Sequence, residues 1–214
     1  MALDMLLAFE CKNSHFPQIR ISSLPFRAFF CFFASSNHFI KLRGMNDAPR
    51  KEPSYHLQVR NKFENGGSLA VMVGLNRTAS DYSDLLAIGR WFAERGDNVQ
   101  ILGSIHFKNP DYQKYFGLLV GTEYYRKCPD FRINDKMYEY EGFVGSWTKD
   151  KLGRMLSHGA VQSPYIIIKN TKGCSDRFII KCIHDRIKDK TFKHEIKEVW
   201  AYEKGKCRLV YKKR

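Results

Sequence analysis

From about residue 78 the apolar positions of the chain fall into readable periods. In "TASDYSDLLAIGRWFAERG", Tyr82, Leu85, Leu86, Ile88, Gly89 and Phe92 recur at helical spacing, with Ser80 as the cap and Gly96 as the stop. "NVQILGS" follows as a short strand, and residues 106–127 are aromatic and mixed, the mark of an irregular excursion. "CPDFRINDKMYEYEGF" holds two alternating runs joined at Asn134-Asp135, the pattern of a β-hairpin. "TKDKLGRMLSHG" reads as a helix capped by Thr148, apolar at Leu152, Met155 and Leu156, and ended by Gly159. "PYIIIKN" is a buried strand. "SDRFIIKCIHDRIK" is a second helix with Ile179, Cys182, Ile183 and Ile187 inward, and "KEVWAYEKGKCRLVYKK" is a hairpin turning at Lys204-Gly205. The order α-β-β-β-α-β-α-β-β implies an α/β fold with a mixed β-sheet flanked by helices.

The chain before residue 78 has a different character. Residues 45–77 open with polar, Pro-containing "NDAPRKEPS" and read as a linker or variable segment. Residues 1–44 hold eight of the sixteen phenylalanines, including "FRAFFCFFA", without a sustained period. Arg27 interrupts that run, which falls far short of the roughly 20 apolar residues of a membrane span. A signal peptide's basic start and uniform apolar core are missing. The reading is that translation begins at Met45 and that residues 1–44 are a poorly structured leader or a mis-assigned extension. Residues 78–214 then form the working domain.

Charge sharpens this picture. The chain has 214 residues and a formal net charge of +14, distributed unevenly. Residues 1–44 carry net +3, residues 45–145 are neutral with 13 basic and 13 acidic groups, and residues 146–214 carry net +11. A folded third with that excess attracts polyanions, of which nucleic acid is the commonest; the plainer reading is a lysine-rich solvated surface. Six cysteines show no CxxC pair and no ligand-like spacing with histidine, which fits free thiols in a reducing cytoplasm rather than a zinc site.

The hairpin carries the candidate chemistry. A two-residue turn at Asn134-Asp135 sets Asp130 opposite Glu139, whereas a turn at Asp135-Lys136 sets it opposite Glu141. In either register Phe131, Ile133, Tyr138 and Tyr140 share one face, and Asp130, Arg132, Met137, Glu139 and Glu141 share the other. Like charges directly opposed across strands are destabilising, so water, Arg132, a raised pKa or a divalent cation must offset them. A solvated, screened face is the alternative to a site.

"PD" at 129–130 with an acidic residue nine positions later resembles the PD-(D/E)xK nuclease core, in which two carboxylates hold a divalent metal. The family's lysine would follow two residues after the second acid; here that position is Glu141. "FAERGDNVQIL", then "CPDFRINDKMYEYEG", then a helix ending "SHGAVQSPYIIIKN" are also similar to the C-terminal tRNA nuclease domain of the CdiA toxins of contact-dependent growth inhibition. That similarity spans roughly residues 80–170 and implies a tRNA nuclease of PD-(D/E)xK-like fold. The long filamentous delivery region of those toxins has no counterpart, so the expectation is an orphan or mobile-element relative.

Residue by residue, the resemblance implies Asp130 and Glu139 as catalytic metal ligands, with Asp84, or alternatively Asp81, as a third. Lys151 or His158 would be the basic catalytic group. Arg132, Glu141, Gln162 and Lys169 would contact substrate. The implied cofactor is Mg²⁺, a hard cation that takes carboxylates and water. In a metal-independent reaction on RNA, the 2′-hydroxyl would attack with His158 or His184 as base. Trp147 and Trp200 are candidates for stacking unpaired bases, and "VYKKR" for phosphate contacts. The expected protein is bacterial and cytoplasmic, without membrane association. Two other readings remain open: a non-catalytic nucleic-acid-binding protein on a nuclease scaffold, and an interaction module whose basic face meets an acidic, immunity-type partner.

Overall fold

The computed structural model describes residues 54–143 and 148–214, so the expectations for residues 1–44, the start at Met45 and Trp147 lie outside the described residues. The α/β expectation holds: one mixed sheet of eight strands is flanked by helices. Its strands are β1 (Leu57–Lys62), β2 (Ser68–Met72), β3 (Asn98–Ile101), β4 (Phe131–Ile133), β5 (Lys136–Glu141), β6 (Tyr165–Lys169), β7 (Glu198–Glu203) and β8 (Lys206–Lys212). They lie in the sheet in chain order. The helices are α1 (Tyr82–Ala93), α2 (Pro110–Phe116), α3 (Lys149–Gln162) and α4 (Asp176–Lys188). Among the described residues no helix is long and apolar enough to cross a membrane.

The pairs β2–β3, β5–β6 and β6–β7 are parallel and the other neighbours antiparallel. Thus β2, β3, β5, β6 and β7 share one direction, with β1, β4 and β8 opposed. On one face α1 packs Leu85, Ile88 and Phe92 against Leu69, Val99, Phe131 and Tyr138. On the other, α3 and α4 pack Leu152, Leu156, Ile179 and Ile183 against Ile166, Ile168 and Val199. The β2-α1-β3 and β5-α3-β6 crossovers step the same way between strands of the same direction, yet their helices cover opposite faces. The two are therefore of opposite hand, and one departs from the usual right-handed rule. Cover on both faces explains why Ile166, Ile167 and Ile168 are all fully buried. It also resolves the β7 alternation, because Val199 packs under α4 while Trp200 packs beside α1.

Local signals account for much of this. Thr148 caps α3 by accepting from the Lys151 N–H at 3.1 Å, and Gly96, at φ +98, follows α1. Lys204 and Gly205 both take positive φ, as a two-residue β7–β8 turn of the type I′ kind requires. Five expectations are corrected. Residues 57–72, assigned to a linker, form the β1–β2 hairpin and join the sheet. The "irregular" stretch holds α2, capped by the Asn109 side chain on the Asp111 N–H with Pro110 at the first helical position. The N-cap position of α1 is Asp81 rather than Ser80, and no side-chain hydrogen bond closes it.

Gly159 does not end α3, which runs on to Gln162. Its bare Cα is what lets the helix approach the sheet, since a Cβ there would lie 2.9 Å from Ile166 Cγ2 and 3.2 Å from Glu141 Cγ. Ile187, expected inward, is 43% exposed; it lies on the same stripe as Ile183, but the last turn of α4 outruns the packed layer.

Gly67, at the foot of β2, is pressed against the end of α1, where Asn65 also donates to the Glu94 carbonyl at 2.8 Å. A Cβ on Gly67 would lie 2.0 Å from the Ala93 carbonyl oxygen, a backbone atom that no rotamer change can move. Gly67→Ala is expected to lower stability by about 3 kcal/mol, measured by urea unfolding.

Candidate functional site

The hairpin adopts the register set by a turn at Asn134-Asp135. Phe131 pairs with Tyr138, Arg132 with Met137 and Ile133 with Lys136, and continuing the ladder sets Asp130 opposite Glu139. Asn134, at φ +51, pins the turn: its Oδ1 accepts from the Asn98 N–H at 2.9 Å and its Nδ2 donates to Asp97 at 2.7 Å. Just before β4, Asp130 Oδ2 accepts the Tyr140 N–H at 2.9 Å, where the opposing residue of the ladder would be Pro129.

These residues lie at the carboxyl ends of the parallel strands. Glu141 closes β5, Lys169 closes β6, and Asp130 precedes antiparallel β4 at the same edge. The chain leaves this edge toward α1 on one face and α3 on the other, and open α/β sheets place ligand crevices where connections diverge in this way.

On the α3 face stand Asp130, Glu139 and Glu141. Burial, followed by the charges of Asp130 and Glu141, raises the Glu139 carboxyl far above the usual carboxylate range. Burial also raises Asp130, opposed by its hydrogen bond from the Tyr140 N–H and reinforced by the charge of Asp81. Burial and then Asp130 push Glu141 up to about 7, with Lys151 working the other way. Each carboxyl is opposed by one backbone N–H, that of Tyr140 on Asp130 and that of Asp130 on Glu139, but the buried Glu139 Oε2 has no hydrogen-bond partner. Glu139 is accordingly the member of the pair that keeps a proton. Among the described residues no three His, Cys, Asp or Glu side chains are arranged to hold a metal ion as they stand.

On the α1 face a second cluster adjoins the first. Asp84 Oδ2 accepts from the Tyr140 hydroxyl at 2.7 Å and forms an ion pair with Lys169 at 2.5 Å. These residues line a crevice of about 280 Å³ with Asp81 and Phe143. Asp81 raises both Asp130 and Tyr140 electrostatically, which places it between the two clusters.

The remaining candidates divide. Lys151 stands over the Phe143 ring, 3.7 Å from its centroid, close enough to Glu141 to act on its charge. His158 is exposed on α3, and Gln162 is half-buried at its last position. Arg132 turns away from the acids toward the hairpin tip, with Nε donating to the Asn134 carbonyl at 3.3 Å, so it does not neutralise the pair. His184 is exposed and packs edge-on to Tyr211. Trp200 donates to Glu198 at 2.6 Å, remote from the carboxylates. Sequence reasoning missed Tyr140 as the group that holds Asp84, because alternation assigned it to the apolar face; its hydroxyl lies beyond that core. It likewise missed Phe143 beneath Lys151.

The raised carboxylates give stability a definite pH dependence. Between the unfolded value of an ordinary carboxylate and its raised folded value, the unfolded chain has lost the proton that the folded chain retains, so stability falls as pH rises. For Glu141 that window runs from about 4.5 to about 7, and for Glu139 it extends higher. Glu139→Gln removes the need to take up a proton on folding. It is expected to leave the melting temperature unchanged near pH 4 and to raise it by roughly 3 °C at pH 8, read from thermal melts of both proteins across that range. Compared with protein-family models, curated proteins and solved structures, the chain finds no match.

Proposed function

We propose that the protein is a nuclease that cleaves RNA phosphodiester bonds, with tRNA as the substrate class implied by resemblance to the CdiA toxin domains. The observation that carries the reading is the Asp130–Glu139 pair, two half-buried carboxylates opposed across a hairpin at the carboxyl edge of the sheet, both raised by burial and Glu139 also by the charge of Asp130. Perturbed groups in a crevice are characteristic of sites, because burying like charges costs stability that packing alone does not require. The run α1-β3-α2-β4-β5-α3-β6, three antiparallel strands with α2 inserted between the first two and a crossover to a parallel fourth, supports a PD-(D/E)xK-like core. The net charge of +14 supports a polyanionic substrate.

The donor set suits a hard divalent cation such as Mg²⁺. Asp130 and Glu139 offer carboxylate oxygens, and Glu139 Oε2 is buried without a partner. When bound there, such an ion neutralises phosphate charge and acidifies water. Asp130 is held by the Tyr140 N–H in the orientation in which it would meet the ion or its water. Lys151, beside Glu141, would neutralise charge on a phosphate oxygen at the mouth of the crevice or protonate the leaving oxygen; His158 would serve as the proton donor if Lys151 does not. Asp84 is engaged by Lys169 and Tyr140, so its service as a third ligand requires Lys169 to shift onto the phosphate. Glu141, at the position where the family has lysine, supports the alternative of a nucleic-acid-binding protein that has lost catalysis.

The two readings separate in one assay. Full-length protein is incubated with total tRNA or with DNA, with Mg²⁺ or with chelator, beside Asp130→Ala and Glu139→Ala. Cleavage of tRNA that falls by about 100-fold or more in both variants is the expected result. Intact RNA in every lane, with a salt-sensitive mobility shift, would overturn the enzyme and leave the binding protein. Tight complexation by an acidic protein with no RNA affinity would instead favour the interaction module.

A further inference from the structure

At the amino ends of the parallel strands, far from the carboxylates, lies a cavity of about 430 Å³ on the α1 face of the sheet. Its walls are aromatic: Trp91 and Phe92 from α1, Tyr138 from β5 and Trp200 from β7. The Phe92 and Trp200 rings meet at 5.0 Å between centroids, and Trp91 and Trp200 at 5.9 Å. The exposed Leu209 of β8 extends the apolar lining.

The charges around these walls are not equivalent. Glu198 is buried, and burial alone would raise its carboxyl. Hydrogen bonds from Lys136 at 2.8 Å, from the Tyr138 hydroxyl at 2.6 Å and from Trp200 Nε1 at 2.6 Å outweigh this and lower it instead. Its charge is thus spent inside the protein, and with it that of Lys136. Asp97 is occupied by the Asn134 amide at 2.7 Å, and Asp135 projects into solvent at the hairpin tip. Two cations are left. Arg95 is exposed, its guanidinium carbon 3.6 Å from the centroid of the Trp91 ring. Lys212 is exposed and, among the described residues, its ammonium has no ion pair or hydrogen bond.

We propose that this cavity binds an unpaired nucleobase together with its phosphate. A planar ring is what aromatic walls and an Arg-on-Trp stack accept, and bases stack on both aromatic side chains and guanidinium planes. The exposed Arg95 guanidinium over Trp91 supplies a plane on which a base stacks, and Lys212 supplies the cation for the phosphate. An aromatic ring and an anion joined in one ligand describe a nucleotide. The choice of ligand class rests on the nucleic-acid reading given above, but the cavity itself does not. It lies about 17 Å along β5 from Glu141 and on the other face of the sheet, so it would hold a nucleotide distant from the scissile bond.

The test is calorimetric titration of the full chain with AMP, CMP and UMP at low salt, with ribose 5-phosphate as the control lacking a base. Lys212→Glu changes an exposed, unpaired side chain, and Trp91→Phe keeps an aromatic ring while shrinking the plane that holds Arg95. The monophosphates are expected to bind saturably, with ribose 5-phosphate at least tenfold weaker. Lys212→Glu should weaken binding by about tenfold and Trp91→Phe by about threefold, while Asp130→Ala binds as the wild type does. No saturable binding of any monophosphate, equal binding of ribose 5-phosphate, or unchanged affinity in Lys212→Glu overturns the proposal. Cleavage of RNA by a protein that binds no mononucleotide would remove the cavity and leave the nuclease. Mononucleotide binding without cleavage would do the reverse.

Discussion

The turn at Asn134-Asp135 fixes the register of β4 against β5, and the chemistry of the molecule depends on that register. Asn134 takes a positive φ and spends its side chain on the start of β3, so the hairpin tip is tied to a third strand and cannot slide. Moving the turn to Asp135-Lys136 would face Asp130 with Glu141 and change which acids share a site. The hydrogen bond from the Tyr140 N–H to Asp130 then extends the ladder by one side-chain contact ahead of the first residue of β4. Two carboxyl groups are thereby held opposite each other in a place from which α3 excludes much of the water.

Partial burial of this pair follows from a glycine-scale detail of packing. α3 approaches β5 and β6 closely because Gly159 has no side chain, and that approach covers the Glu141 stem and the strand beside it. The hydration that would screen an exposed acidic hairpin is thus removed, and the cost appears as raised carboxyl groups. On the other face the same edge is treated in the opposite way: Asp84 is neutralised by Lys169 and held by Tyr140. One edge of one sheet therefore carries an unneutralised pair and a neutralised one.

What could be read from the sequence divides along physical lines. The helical stripes of α1, α3 and α4, the Thr148 cap, the Lys204-Gly205 turn and the facing of Asp130 with Glu139 are local, set by residues within a dozen positions of one another. The β1–β2 hairpin was hidden because four of the five β1 residues after Leu57 are polar and exposed, as an edge strand allows. The signal for α2 was present in Asn109-Pro110 but was masked by the aromatic density around it. Gly159 read as a stop because glycine ends helices more often than it admits a neighbouring strand. The Asp84–Lys169 pair joins positions 85 apart, and the Glu198 cluster joins β5 to β7, some 60 positions apart, with no local motif. Such contacts come into being only when the sheet closes.

The strands lie across the sheet in the order in which they occur along the chain. Each newly made strand therefore finds its neighbour already synthesised, and no gap has to be kept open for a later segment to enter. During translation the sheet can grow from one side by successive addition, with few distant loops to close at any step. The Asp130–Glu139 hairpin forms midway through this growth, before α3 exists to cover it. The two acids are thus brought together while still hydrated and lose their water only when the next helix is laid down, so the electrostatic cost of the site is deferred until part of the core that bears it is in place.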